Sequence, residues 1–581
     1  MAGRNALMAR GRDRRPRGAR LAVGVLLWLL SLSGVGLAAV GSLTTAETWV
    51  LQQAAAGLTA DLQEKFGPAP APRHLRAAFL EALLTGELPG FKAHRQGVSI
   101  KHAVIPEYVN LRSAEVPLAV ELVACRFLGG LNCSYGLFKK SLSLDHSHLQ
   151  GWVSFNGMKV ESDFFCNGTR FLEGASFEGA VIAGRCNARG AGFEHPKLGA
   201  NFNTMQVGSD FDCMDAVFKS DTFFSRMRIQ GNLSLFRAAF EGSVFFEAAE
   251  IGGNLNAIQT RFTNATAPVY LTNVKVGQRG FFTNLEAPAG LSMAMAQFLD
   301  LFIGGPDPGK PLALKQLILD YAVVSRVFDL RHLVLEEWSA KKFTGKDLVW
   351  LDNVRVQKDA HLEGGAYQTL MLIQVAWPPQ PDRVWLDGMT YQQISARDRV
   401  TEEAPGNWQK LLHLVNNSNF DTQNYLQLEA YFKRRGEQDR ADTVYIEGKR
   451  RETMQKWWHP YNLATLVFWD GLAGYGKKPA RTLWVSLLVI LLGTCIFDHR
   501  NFDPSFLGGW TWLLQGSRVK TTAVRFFLSM DEFLPGVDLG LAKLWHIDKI
   551  SFPTLLYYHF HKIAGWILIP IGLAAVLTQF K

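Results

Sequence analysis

From Phe171 to Phe262 the chain alternates apolar and polar residues over two to four positions, with small turn residues between, as in "SVFFEAAEIGG". That alternation predicts short strands, since a helix would need runs of ten or more with a 3.6-residue period. The alternation also repeats. Phenylalanines end comparable units at Phe171, Phe193, Phe218, Phe240 and Phe262, spaced 22, 25, 22 and 22 residues apart. A small residue precedes each by nine or ten positions (Ser162, Gly184, Gly208, Gly231, Gly253), and Ile182, Val207, Ile229 and Ile251 sit just before most of those glycines. A fixed period of this length is the mark of a solenoid.

The fold class expected is mainly β: a right-handed β-helix, a pentapeptide-like solenoid, with an N-terminal helical cap and a C-terminal helical and transmembrane module. Each coil of about 22 residues would stack on the next at about 4.8 Å. Phe and Ile would form internal columns, and Gly would take corners of positive φ. Weaker copies place the solenoid at 97–395, with a helical interruption near 310–330. Residues 44–96 form the cap. In "PRHLRAAFLEALLTG", Pro72 starts a helix, Leu75, Phe79 and Leu83 share a face, and Gly86 ends it.

From Asn407 the period turns helical. A hairpin module spans 396–480, with two helices joined at Gly436; Tyr425, Leu428 and Phe432 mark one face, Ala441, Val444 and Tyr445 the other. Three apolar runs bear on membranes. Leu21–Leu43 is about the length of a bilayer span and fits either a signal-anchor or a signal peptide. The runs Leu483–Phe497 and Ile563–Thr578 are shorter, and Pro570 and Gly572 interrupt the second. The resulting organisation is a basic tail at 1–20, a first apolar segment at 21–43, transmembrane helices at 481–498 and 563–581, and an interfacial loop at 499–562. In that loop an amphipathic stretch holds Val519, Ala523, Phe526, Phe527 and Met530. Trp484, Trp510, Trp512, Trp545 and Trp566 suit an interfacial belt.

Charge sharpens the membrane reading. The net charge of +9 is concentrated in seven arginines within residues 1–20 and eleven Lys/Arg against six acids in 431–481. Basic clusters beside apolar segments point to lipid headgroups rather than nucleic acid. The seven arginines place the N-terminus in the cytoplasm and the solenoid on the periplasmic side of a bacterial inner membrane. The alternative is a cytoplasmic solenoid, if 21–43 does not cross fully.

The C-terminal residues also resemble a family. The order YxxLxxYFxxxG…A…GYGxxP, a span, LPxxDLG, then GW and a last span is carried here by Tyr425, Leu428, Tyr431, Gly436, Ala441, Gly474, Tyr475, Gly476, Pro479, Leu534, Pro535, Asp538, Leu539, Gly540, Gly565 and Trp566. This is similar to the C-terminal module of a bacterial family that joins pentapeptide-like repeats to a membrane segment. Many members are labelled membrane-associated oxidoreductase. The resemblance covers about a quarter of the chain in detail. The repeats depart from a strict five-residue period, which argues against a regular square prism.

Candidate chemistry is sparse. "GLAGYG" lacks the preceding strand of a dinucleotide site and reads as a turn at the membrane surface. A "GYG" ahead of a span is also out of place for an ion filter. "SDFDCMD" puts Asp210, Asp212 and Asp215 in one coil, where outward carboxylates could bind a metal or act as acid and base on a polysaccharide; the competing reading is turn residues. His559 and His561 read as interfacial. Cys125, Cys133, Cys166, Cys186 and Cys213 form no CxxC pair; they read as small core residues, or as disulfide partners if the body is exported. No cofactor is expected. The expected function is a membrane-anchored, non-catalytic binding or scaffolding surface whose partners are the bilayer and an envelope protein or glycan. The alternatives are an enzyme, redox by family label or carbohydrate-active, and a small oligomeric channel.

Overall fold

A computed structural model describes residues 42–398, 406–497, 518–541, 543, 545, 547 and 550–579. Residues 21–41 of the expected first span and all of the stretch 498–517 lie outside them. The chain divides into two compact units, 1–411 and 412–581.

The first unit is a parallel β-solenoid of about 14 coils. In its regular region each coil contains four two-residue strands, and each strand pairs in parallel with the fourth one after it. One stack runs through Phe164–Phe165, Cys186–Asn187, Phe211–Asp212 and Leu233–Ser234. The next runs through Arg170–Phe171, Gly192–Phe193, Val217–Phe218, Ala239–Phe240 and Arg261–Phe262. Four such stacks make a four-sided coil, so the loose match to a five-residue period does not prevent a prism-like cross-section. The steps between strands alternate between five and six residues.

The coil is two 11-residue halves. In each half the inward residues are the first, third, sixth and eighth: Phe211, Cys213, Ala216, Phe218, then Thr222, Phe224, Met227, Ile229. A left-handed residue recurs every 11 positions, at Thr204, Asp215, Arg226, Arg237, Ala248 and Gln259. The expected phenylalanine column forms: Phe171, Phe193, Phe218, Phe240 and Phe262 stack with ring centroids 4.6–5.1 Å apart. A second column, Phe155, Phe177, Phe202, Phe224 and Phe246, faces it. The two meet edge-on, as at Phe218 and Phe224, 6.2 Å and 77° apart. Dry aromatic stacking of this kind adds to simple area burial.

Three expectations are corrected here. The glycines at 184, 208, 231 and 253 are not left-handed. They are required because adjacent coils approach closely: a Cβ at Gly208 would lie 2.1 Å from the Ala183 carbonyl oxygen. Gly208 also sits one position out of line with the others, stacking on Ala183, whereas Gly231 stacks on Ser209. The place equivalent to Gly184 and Gly231 is filled by Ser209 in this coil, while the extra loop around 194–199, upstream, accounts for its 25-residue length. Finally, 310–330 is not helical. Leu312–Ile318 is a strand paired with Leu333–Ser339, and strands lengthen beyond residue 275, up to Thr344–His361.

The cap blocks the first coil. Helix Thr45–Ala56 begins with a capping box between Thr44 and Glu47. Buried Glu47 also binds Arg76 at 2.6 Å. The helix expected from Pro72 starts at Ala77, ends at left-handed Gly86, and buries Phe79 and Leu83, with Leu75 buried just ahead of it. Ala60–Asp61 adds a rung to Ile100–Lys101, so a short piece of the cap itself covers the solenoid edge.

In the second unit, Thr422–Arg434 and Gln438–Met454 form the expected hairpin around left-handed Gly436. Two helices are long and apolar enough to cross a membrane, Pro479–Ile496 and one within Phe552–Gln579. The second starts 11 residues earlier than expected and runs unbroken through Pro570 and Gly572. Helix Arg518–Phe533 contributes to their packing. Val524 and Leu528 are buried with Phe497, Trp545 and Tyr558; Phe533 is buried with Val489 and Leu568. The helix is thus buried along one side; of the residues expected on a membrane face, Phe527 is exposed and Ala523, Phe526 and Met530 are half-buried.

Candidate functional site

The three aspartates of "SDFDCMD" are brought into one coil, and each has a structural partner. Asp210 belongs to a ladder: its Oδ1 accepts the Asn232 N–H at 2.7 Å, and the Asn232 Oδ1 accepts the Asn254 N–H at 2.9 Å. Asp163 does the same in an earlier coil, accepting the Arg185 N–H. Asp212 accepts the N–H of Met214, two residues on, at 2.9 Å. Asn132, Asn187, Asn201 and Asn256 make the same turn in other coils. Asn replaces Asp at both positions within the repeat, so the turn and the ladder need an acceptor oxygen and not a charge. The remaining carboxylate valence of Asp212 goes to Arg189 at 2.6 Å. Asp215 is the left-handed corner residue and holds Arg237, the corner residue of the next coil, at 2.6 and 2.7 Å. That side-chain hydrogen bond keeps its carboxyl below the ordinary range. Among the described residues no three His, Cys, Asp or Glu side chains converge as a metal set.

The five solenoid cysteines are free and buried. Burial pushes the Cys125 thiol up to about 12 and raises the other four well above the ordinary thiol range. Thiols so reluctant to ionise are poor nucleophiles and poor metal ligands.

The stack that precedes the aspartates in each coil carries a feature that sequence reasoning missed. A groove of about 860 Å³ runs along the stack Val181–Ile182, Gln206–Val207, Arg228–Ile229, Glu250–Ile251 and Lys275–Val276. Its floor includes Ala183, Gly208, Gly252 and Gly277, where missing side chains leave backbone open. Its walls present Gln206, Arg228, Gln230, Glu250 and Lys275, with Glu250 between Arg228 at 3.3 Å and Lys275 at 3.7 Å. Five coils at about 4.8 Å give a track of roughly 20 Å lined with donors and acceptors. The signal in the sequence was the outward residue before each inward Ile or Val, which turn-by-turn alignment exposes.

The family-motif residues build the helical unit. Tyr425, Leu428 and Ala441 are buried in the hairpin; Tyr445 is only partly covered and Ile446 takes the inward place. The Tyr425 hydroxyl donates to Asn416 at 2.9 Å, and Arg451 donates to the Val415 and Ser418 carbonyls. Gly474, Tyr475 and Gly476 are three consecutive left-handed residues after a helical segment, a reversal that delivers Pro479 to the first turn of its helix. Leu534 and Pro535 open the loop after Phe533. Asp531 closes that loop by accepting the Leu539 and Leu541 N–H groups, and Asp538 accepts the Gly540 N–H and pairs with Lys543. Gly565 lets two helices touch: a Cβ there would lie 1.8 Å from the Phe533 carbonyl oxygen. Trp566, beside it, is exposed. His559 is exposed, but His561 is not interfacial. It is fully buried, with Nε2 donating to the Ser529 carbonyl at 2.9 Å and the Tyr557 hydroxyl 3.3 Å from Nδ1.

No family model, curated protein or solved structure matches the chain. The fold and the groove define a parallel β-solenoid with a C-terminal helical unit that carries two helices able to cross a membrane.

Proposed function

We propose that this chain is a membrane-anchored β-solenoid that acts as a non-catalytic binding or scaffolding surface in the bacterial envelope. The groove over residues 181–277 receives an extended polar partner, an envelope protein segment or a glycan. The observation that carries this reading is the division of labour among the polar residues. The acids that could do chemistry are tied into turns, ladders and ion pairs, whereas the groove presents a regular row of amides and charges over an open backbone floor. Regularly spaced polar groups on a stiff support suit a partner that is itself extended and repetitive. The resemblance of the C-terminal motif to a membrane-attached repeat family is in keeping with the inner membrane as the anchor, and the seven N-terminal arginines favour a periplasmic solenoid.

Site-specific photo-crosslinking in intact cells tests the binding role. A photoreactive residue at Arg228 in the groove is expected to give a discrete adduct, while one at Lys219, outside it, gives none. Absence of any adduct along Gln206, Arg228 and Lys275 overturns the proposal. A reporter fused near residue 300 checks the compartment: activity of a periplasm-only reporter supports the stated side, and activity of a cytoplasm-only reporter reverses it.

A further inference from the structure

The segment between the hairpin and the first apolar helix is exposed in a way that water does not favour. Residues 454–461 are all exposed, and they include Trp457, Trp458 and Tyr461 at 61%, 68% and 73%. Leu463, Val467 and Phe468 continue the patch along the helical stretch that starts at Pro460. The other side of that stretch is fastened to protein. Asp470 is buried and takes a two-pronged contact from Arg450, at 2.7 and 3.0 Å. Thr465, Leu466 and Trp469 are partly covered on the same side. One face is therefore held and the opposite face is apolar and open.

Such a patch marks a partner, and its composition says which. Trp and Tyr lead, aliphatic residues and Phe follow, the exposed cation Lys456 stands at the patch's first turn, and Arg481 is exposed at the start of the helix that follows. Amphipathic rings with flanking cations match the headgroup region of a bilayer, where ring faces meet acyl chains and polar edges meet water. Only ten residues, with Asp470 and Ala473–Gly476 buried among them, separate Phe468 from Pro479, where the first helix able to span begins, so the patch lies close along the chain to that helix and its exposed apolar side.

We propose that residues 454–468 lie in the plane of the bilayer interface, with phospholipid headgroups and upper acyl chains as their partner, and that they set the depth at which helix Pro479–Ile496 enters the membrane. This rests on the reading of that helix as a span. The test uses the full chain with Cys495→Ser, reconstituted in phosphatidylethanolamine–phosphatidylglycerol vesicles. The five buried solenoid thiols leave a single introduced cysteine for a nitroxide label. Labels go at Trp458→Cys and Leu463→Cys, with Leu488→Cys at mid-helix and Lys219→Cys on the solenoid as references. Collisions with aqueous nickel complex at 458 and 463 are expected to fall several-fold below those at 219 and collisions with oxygen to rise. The depth expected is about 5–10 Å into the headgroup boundary, shallower than 488. Nickel accessibility equal to that at 219 overturns the inference. Shielding from both reagents also overturns it, since protein then covers the patch. If 488 itself is open to nickel, the span reading fails first and this inference falls with it.

Discussion

The two units dispose of apolar side chains in opposite ways. Among the described residues, the solenoid unit exposes eight large hydrophobic side chains and the smaller helical unit exposes twenty-six. The solenoid hides Phe, Leu and Ile on the inside of each coil and coats the outside with pairs between neighbouring coils, such as Arg189–Asp212 and Arg237–Asp215. The helical unit turns Leu483, Trp484, Leu487, Leu488, Leu491 and Leu492 outward and keeps polar groups such as Ser529, Asp531 and His561 inside. Water rewards the first arrangement; the second is the one that two helices able to cross a membrane would need in hydrocarbon.

The contrast is sharpest in a paired substitution. Phe218 has stacking partners above and below and an edge-on partner beside it. Phe218→Ala should cost about 3–5 kcal/mol, the range for emptying a buried aromatic site. Leu488→Ala, on the exposed side of its helix, should move stability in detergent by under about 0.5 kcal/mol. Protease resistance of the solenoid and thermal melts of the purified protein read the two. Equal effects would break the comparison.

Close backbone approach operates in both units and gives the next largest effect. Gly208→Ala drives a methyl into the Ala183 carbonyl, and Gly565→Ala drives one into the Phe533 carbonyl. Each should cost about 1–3 kcal/mol by overpacking. The first should loosen the coils around 183–208 and the second the helical unit, read by hydrogen exchange in each. Wild-type protection in either variant would remove the stacking argument for that glycine.

How far the sequence disclosed this follows from the same physics. The phenylalanine column was legible because one large residue recurs at one place in every coil. The 11-residue half-coil was not, because the two halves exchange sizes. The eighth position is Phe218 in one half and Ile229 in the next, and the third is Cys213 and then Phe224. Leu314, Leu317, Ile318 and Tyr321, spaced i, i+3, i+4 and i+7, mimic a helix face, yet the ladder offered by Leu333–Ser339 decides for strand. The long C-terminal helix read short because His559, His561 and Lys562 look like an end; burial of His561 against Ser529 lets the helix continue. The groove was invisible because it belongs to no single stretch of chain.

Charge burial gives a smaller effect. Asp300 is fully buried and accepts from Arg326 at 2.5 and 2.8 Å and from Arg279 at 3.2 Å. The Arg326 hydrogen bond, against the cost of burial, holds its carboxyl below the ordinary range. A depressed folded value means the stabilisation is whole above the unfolded value near 4 and is lost as pH falls through the folded one. Asp300→Asn should therefore cost about 2 kcal/mol at neutral pH. That deficit should narrow as melts are taken below pH of about 4. A deficit that stays constant with pH would mean that shape, not charge, is what Asp300 contributes.

The smallest effect separates the two reasons a coil can want glycine. Ala248 sits at a left-handed corner with φ +57°, where a Cβ crowds the following carbonyl. The equivalent corners at Gly157, Gly168, Gly179 and Gly190 are glycine, so the corner tolerates an alanine without needing one. Ala248→Gly relieves that crowding, while the added freedom of the unfolded chain takes back some of the gain. A net stabilisation of about 0.5 kcal/mol is expected, opposite in sign to Gly208→Ala. Both positions lie in neighbouring coils under the same aromatic columns, so a shared packing change cannot produce opposite signs. If Ala248→Gly destabilises the solenoid as Gly208→Ala does, then the corners are held by their side chains, and left-handed geometry costs this fold nothing.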